Sequence, residues 1–273
     1  MAHVTDDKNF RLPLSLRPQR YAATLTLDME AKTFMGLEFI ELELKESSQE
    51  IILHAIALEL GEVAFRTRDG RVFLPTEQRV APLSETVVLR FGESLPTGEA
   101  SLEVAWTGRF TEGLRGLYSA GKVAATQFEA ADARRLFPCF DEPAFKARWA
   151  LTLRVPPGFT ALANGALVEE QPDGILRKLT FQETEVLSSY LVALVVGPLV
   201  GTPEEQVRGI PVRTWALPEK AHLTRFGQDA ALAALPRLQD YFGLPYAFGK
   251  VEDRKSTRLN SSHSGESRMP SSA

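Results

Sequence analysis

From Tyr21 to Glu30 the chain alternates between apolar and polar residues. Tyr21, Ala23, Leu25, Leu27 and Met29 fall on one side, and Thr24, Thr26, Asp28 and Glu30 on the other. Successive side chains of an extended chain point to opposite faces, so this period of two predicts a strand with one face buried. The next apolar residues change phase: Leu37 and Phe39 give way to Ile40, Leu42 and Leu44. A slip of one residue predicts a β-bulge, and Gly36 nearby would ease the bend. Further strand signals occur at Ile51 to Leu53, Val87 to Phe91, Leu102 to Trp106 and Trp149 to Val155. Breakers such as Asp69-Gly70, Pro96-Thr97-Gly98 and Pro156-Pro157-Gly158 separate them. Many short strands with turns between them predict a mainly β fold, an all-β sandwich. No internal repeat is visible.

Val186 to Val196 is almost continuously apolar, as expected of a strand covered on both faces. After Gly197-Pro198 the character changes. Gly209 to Trp215 reads as another strand, followed by a helix from about Lys220 to Phe242. In that helix Leu223, Phe226, Ala230 and Ala233 fall at helical spacing, and Pro236 is expected to kink or split it. These changes divide the chain into a leader over 1–10, a β-sandwich over 11–203, the start of a second unit over 204–253, and a tail over 254–273. A unit of about 50 residues is too short to bury a core of its own. Lys255 to Ala273 contains seven serines, and its only sizeable apolar side chains are Leu259 and Met269. It resembles translated adapter or vector DNA more than a native tail and is set aside from fold reasoning.

Composition narrows the function classes. The 273 residues are 44% hydrophobic and 24% charged with a net charge of −4, which gives no reason to expect nucleic acid or an anionic membrane as a partner. The single cysteine, Cys139, rules out an intrachain disulfide and fits a reducing compartment. Met1 to Leu16 has no apolar run of signal-peptide length, and the longest apolar stretch, Tyr190 to Val200, is too short to span a bilayer. A cytoplasmic protein is the expectation.

Few residues suit catalysis. Zinc peptidases of the His-Glu-x-x-His type need two histidines one helical turn apart, so that both imidazoles reach one ion. The four histidines here, His3, His54, His222 and His263, offer no such pair. His54 lies in an apolar strand context and reads as a satisfied core or surface residue; His222 reads as helix-start packing. Cys139, between Pro138 and Phe140, reads as a small buried residue rather than a nucleophile. Gly113 to Tyr118 lacks the spacing of a phosphate-cradling loop. Asp141 and Glu142 are adjacent, so in extended structure they point apart and cannot share a reaction centre. Asp141 is expected to cap local amides, with Pro143 fixing the exit of the turn. Of Arg134 and Arg135, one is expected to pair with a carboxylate and the other to be solvated. Glu129, on spacing alone, is a solvated strand glutamate.

A resemblance changes that last point. Gln127 and Glu129 form a Gln-x-Glu, Asp132 to Arg134 an Asp-Ala-Arg, and Phe137 to Pro143 a Phe-Pro-x-x-Asp-Glu-Pro. Together with Phe10 to Pro13, Pro18 to Tyr21, Phe34-x-Gly36, Leu53 to Ala55 and Tyr241 to Tyr246, this pattern resembles the zinc aminopeptidases of the M1 family over about residues 10 to 253. The resemblance implies a saddle-shaped N-terminal β-sandwich, then the first strand and helix of a thermolysin-like catalytic domain. It implies zinc-assisted release of N-terminal amino acids from peptides. In such an enzyme Glu129 would anchor the α-ammonium of a peptide substrate and Gln127 would line the first side-chain pocket. Glutamate at 129 also argues against the leukotriene hydrolase branch, which has glutamine there. The Gly-x-Met-Glu-Asn motif, the His-Glu-x-x-His helix and the third zinc ligand are absent. The expectation is therefore a fragment that supplies amine recognition, binds no zinc and has no activity alone. The alternative is a non-catalytic β-sandwich binding or scaffold module.

Overall fold

The alternation beginning at Tyr21 folds as a long interior strand of a sheet in a computed structural model that describes residues 11–254. In chain order, β1 (Leu16–Asp28) and β2 (Thr33–Leu44) form a hairpin, followed by β3 (Ser48–His54), β4 (Leu58–Thr67), β5 (Val72–Phe73), β6 (Pro75–Ala81), β7 (Thr86–Leu95) and β8 (Gly98–Arg109). Next come β9 (Gly116–Ala120), β10 (Val123–Gln127), β11 (Arg148–Val155), β12 (Thr160–Ala163), β13 (Leu167–Asp173), β14 (Leu176–Phe181) and β15 (Leu194–Gly197). The chain then adds β16 (Val200–Gly201), β17 (Glu205–Val207), β18 (Ile210–Ala216), helix α1 (Thr224–Phe242) and β19 (Val251–Arg254).

An eight-stranded sheet runs β13-β14-β11-β1-β2-β8-β4-β5, a three-stranded sheet β3-β7-β6, and a four-stranded sheet β12-β15-β10-β9. The inward faces of all three sheets share one core, in which Tyr21, Leu25, Ile40, Leu53, Leu89, Leu102, Ala124, Phe137 and Leu153 are buried. The mainly β sandwich expected from the short alternating strands is what forms. Its centre is aromatic: Tyr21 stacks on Trp149 at 4.0 Å, and Phe137 meets Trp149, Trp106 and Phe128 at 5.2, 6.2 and 6.2 Å. Offset and edge-on ring pairs of this kind contribute beyond the area they bury.

Three details depart from the expectations. The first is β2, which contains no bulge. Its pairing with β8 is unbroken from Thr33 opposite Arg109 to Leu44 opposite Gly98, and the irregularity on its other side lies in β1, between Pro18 and Arg20. The strand keeps one phase throughout, so Leu37 and Phe39 are 39% exposed while Glu38 is 0% exposed. Ladders on both sides of β2, with Phe34, Ile40, Leu42 and Leu44 already inward, outweigh two apolar side chains left outside. Gly36 makes room rather than a bend, because a Cβ there would come within 2.2 Å of the Trp106 ring.

The second departure is the apolar run from Val186 to Val196, which is not one strand. It includes a 3-10 turn at Ser189–Leu191 and becomes a strand only in β15. Ser188 and Ser189 turn inward to donate to the Pro143 carbonyl and to Asp141, while Val186 and Leu191 are exposed. The third is α1, which begins after a 3-10 turn at Pro218–Leu223, contains Pro236 without ending, and stops at Gly243 in the left-handed conformation (φ 65°). It packs mainly on β18, and its buried residues are Thr224, Gln228 and Leu235; the expected face, with Leu223 and Phe226, is open, and Phe226 is 82% exposed. Buried Gln228 decides the orientation, donating to Pro203 O and accepting from Thr214 N–H. The leader at 1–10 and the serine-rich stretch from Lys255 lie outside the described residues.

Candidate functional site

The site segment starts as the end of an inner strand. Val123, Ala124 and Ala125 of β10 are fully buried between β15 and β9, where small side chains let the sheet pack closely. At the strand's end Gln127 pairs with Gly116, and the next residue, Phe128, turns into the core against Phe137. Burial of such a ring contributes about 1.5–3 kcal/mol, which fixes the alternation on either side of it. Gln127 and Glu129 consequently face outward, and both are exposed. Neither side chain makes a hydrogen bond or ion pair among the described residues. The Glu129–Ala130 peptide is cis. The turn closes through Asp132 N–H donating to Phe128 O at 2.8 Å.

Beneath this turn lies Asp132, whose side chain is nearly buried. Arg115 donates to it from Nε and Nη2 at 3.0 and 2.9 Å, and Arg135 Nε donates at 2.7 Å. Burial pushes the Asp132 carboxyl up, but the two guanidiniums outweigh it and hold it below the usual carboxylate range. Arg115 is a residue that sequence reasoning passed over; its signal was its place between Gly113 (φ 81°) and Gly116 (φ 60°), a turn that aims it at the site segment. Arg135, expected to be solvated if Arg134 was paired, is paired as well. Three residues from Asp132 on a 3-10 turn (Ala133–Arg135), it reaches the same carboxylate.

The Asp141 side of the segment is a closed network. Arg134 donates from Nε and its backbone N–H to Asp141 Oδ2 at 2.9 and 3.2 Å, from Nη2 to the Asp141 carbonyl at 2.9 Å, and from Nη1 to Glu85 at 3.0 Å. Ser189 Oγ donates to Asp141 Oδ1. The Asp141 N–H donates to His54 Nδ1 at 3.2 Å, while the backbones of His54 and Cys139 exchange hydrogen bonds at 2.9 and 3.0 Å. His54 is thus a satisfied core histidine. Burial, helped by the field of Arg134, lowers its pKa to about 3, so the ring is neutral and accepts. The fold does bring His54 beside Cys139, but Cys139 is buried, and burial pushes its thiol well up, with Asp141 and Glu38 adding to the effect. That is the opposite of an activated nucleophile.

Glu142 points away from its neighbour Asp141, accepting the Leu12 N–H at 2.7 Å and Arg11 Nη1 at 3.1 Å. The two carboxylates therefore serve separate structural ends. His222 is exposed in the 3-10 turn before α1. His3 and His263 lie outside the described residues. Among the described residues no group of three or more His, Cys, Asp or Glu side chains is placed to hold a metal ion.

The M1 peptidase N-terminal domain model matches residues 17–191, which spans β1 to the turn before β15 and includes the whole site segment. The chain belongs to the M1 peptidase family. Its M1 relatives include Aminopeptidase M1-A of Oryza sativa, 34% identical over 253 residues, and Aminopeptidase M1 of Arabidopsis thaliana, 35% identical over 253 residues. Endoplasmic reticulum aminopeptidase 1 of Homo sapiens is 30% identical over 256 residues. Each alignment covers 89% of this chain but only 27–29% of the relative, so the chain spans less than a third of the length of the curated relatives it matches. What it corresponds to is the N-terminal portion of an M1 aminopeptidase.

Proposed function

We propose that this chain is the amine-reading portion of a zinc metalloaminopeptidase that removes N-terminal amino acids from peptides. In this reading Glu129 receives the substrate's α-ammonium and Gln127 lines the pocket for the first side chain. The observation that carries it is a contrast within one segment: Asp132, Asp141 and Glu142 are all engaged by protein donors, and Glu129 is exposed without a partner among the described residues. A free amino terminus would form a charge-assisted hydrogen bond with Glu129, whereas an internal amide would leave the carboxylate desolvated and unpaired. The relatives' names as aminopeptidases agree with that chemistry.

The described residues do not fit zinc, since no three-ligand cluster is present among them. Recognition and catalysis would then be divided, with the zinc ligands outside the described residues. A reducing, cytoplasmic setting belongs to the same proposal and rests on the single, buried cysteine. No helix among the described residues is long and apolar enough to cross a membrane.

A non-catalytic binding module is the second reading, favoured only by the lack of a ligand cluster among the described residues. The test is to extend the reading frame beyond codon 253, express the product, and measure its metal content and its release of amino acids from aminoacyl reporter amides. Stoichiometric zinc and hydrolysis are expected. A frame that ends without further ligands, or a metal-free product without activity, would support the binding module.

A further inference from the structure

The inward face of β2 holds a group that no function yet uses. Glu38 stands opposite Ala23 of β1 and Val104 of β8, in the middle of the largest sheet and on its inward face. It is 0% exposed, and neither carboxyl oxygen has a hydrogen-bond partner among the described residues. An ionised carboxylate without a partner in such a place costs far more than a neutral one. Among the described residues no cation is hydrogen-bonded to it. Inward-facing neighbours on β8 are Leu102, Val104 and Trp106, and β11 contributes Trp149 and Leu151. The titratable groups within its field are Tyr21 of β1 and Cys139 of the following turn, with Asp141 one step beyond. Arg134, whose charge reaches Cys139, is committed to Asp141 and Glu85.

We propose that Glu38 is carried as a neutral carboxylic acid in the folded sandwich, which makes the fold a proton-dependent device: releasing that proton loosens β2 and the core beneath the Cys139–Asp141 turn. The route to that turn is short. Tyr21, whose hydroxyl accepts the Phe140 N–H at 3.1 Å, lies within the field of Glu38 and stacks on Trp149, whose own Nε1–H is buried without a partner among the described residues. A negative charge on Glu38 would face only neutral Tyr21 and Cys139 and, beyond them, the like charge of Asp141. Burial displaces the Glu38 carboxyl well above its usual range, in the same direction. The sign follows. Above the ordinary glutamate value of about 4.3 the unfolded chain releases this proton while the folded chain keeps it, so the contribution of Glu38 to stability falls as pH rises. The loss stops where the folded carboxyl itself ionises. This proposal is independent of the aminopeptidase reading.

The test compares thermal unfolding of the chain with that of Glu38→Gln and Glu38→Leu at several pH values between about 4 and 9. The expected result is a stability gain in both variants that widens with pH, about tenfold in the folding equilibrium constant per pH unit from about 4.3 up to the point where the folded Glu38 carboxyl ionises. The carboxyl carbon of Glu38, followed by NMR in the unmodified chain, should remain protonated at neutral pH. Three results would overturn the proposal: a gap independent of pH, a Glu38 carboxyl titrating near the ordinary value, or failure of both variants to fold at neutral pH.

Discussion

Asp141 and Glu129 are acidic residues twelve positions apart in one segment, and the fold treats them in opposite ways. Asp141 is buried and accepts from Arg134 at two nitrogens and from Ser189. Glu129 is exposed, on the outer side of Phe128, with no side-chain partner among the described residues. The difference teaches where to look for recognition. A carboxylate already satisfied by its own protein has little left to offer a ligand, whereas one held in place by its neighbours but left unpaired is available.

The comparison is sharpest where its buried side is broken. Asp141→Ala leaves Arg134 buried with part of its network gone, and a loss of about 3–5 kcal/mol in unfolding free energy is expected from denaturant titration. A cost below about 1 kcal/mol would place Asp141 among ordinary surface carboxylates. Acid should attack the same side. His54 is lowered to about 3 from a free value near 6.5, so its contribution is complete above about pH 6.5 and is lost as pH falls towards 3. A loss on the order of a few kcal/mol across that window is expected, and a His54 ring titrating near 6.5 by NMR would contradict it.

Between the extremes lies Asp132, which holds the turn carrying Glu129. Asp132→Asn weakens two guanidinium contacts, one of them from the largely exposed Arg115, and should cost about 1–2 kcal/mol in unfolding free energy. Glu129→Gln should change the stability of the chain by less than about 0.5 kcal/mol. A larger change, measured by thermal unfolding, would mean that Glu129 is structural after all.

Much of this architecture was legible in the sequence where local rules govern it. The period of two in β1 survives intact, and the turn residues separate strands where expected. The site segment was readable as a pattern, and the structure does set Gln127 and Glu129 outward from buried Phe128. What was not legible depends on distant partners. Arg115 and Asp132 are 17 residues apart, and Arg134 and Glu85 are 49 apart, separations at which no local pattern signals pairing. The phase of β2 was misread for a related reason: its register is imposed by β1 and β8 together, and that pairing overrides the preference of Leu37 and Phe39 for the interior. In α1 a buried glutamine, not the apolar spacing, selects the packed face.

The claim at the centre is that Glu129 reads a free amino terminus. Its most direct test is the preference of the complete protein for an aminoacyl reporter amide over its N-acetylated counterpart, measured as a ratio of kcat/KM with and without Glu129→Gln. That ratio should fall on the order of 10- to 100-fold, with metal content unchanged, through lost affinity for the free-amine substrate. An unchanged ratio in a folded, metal-loaded variant would contradict it and return Glu129 to the solvated surface.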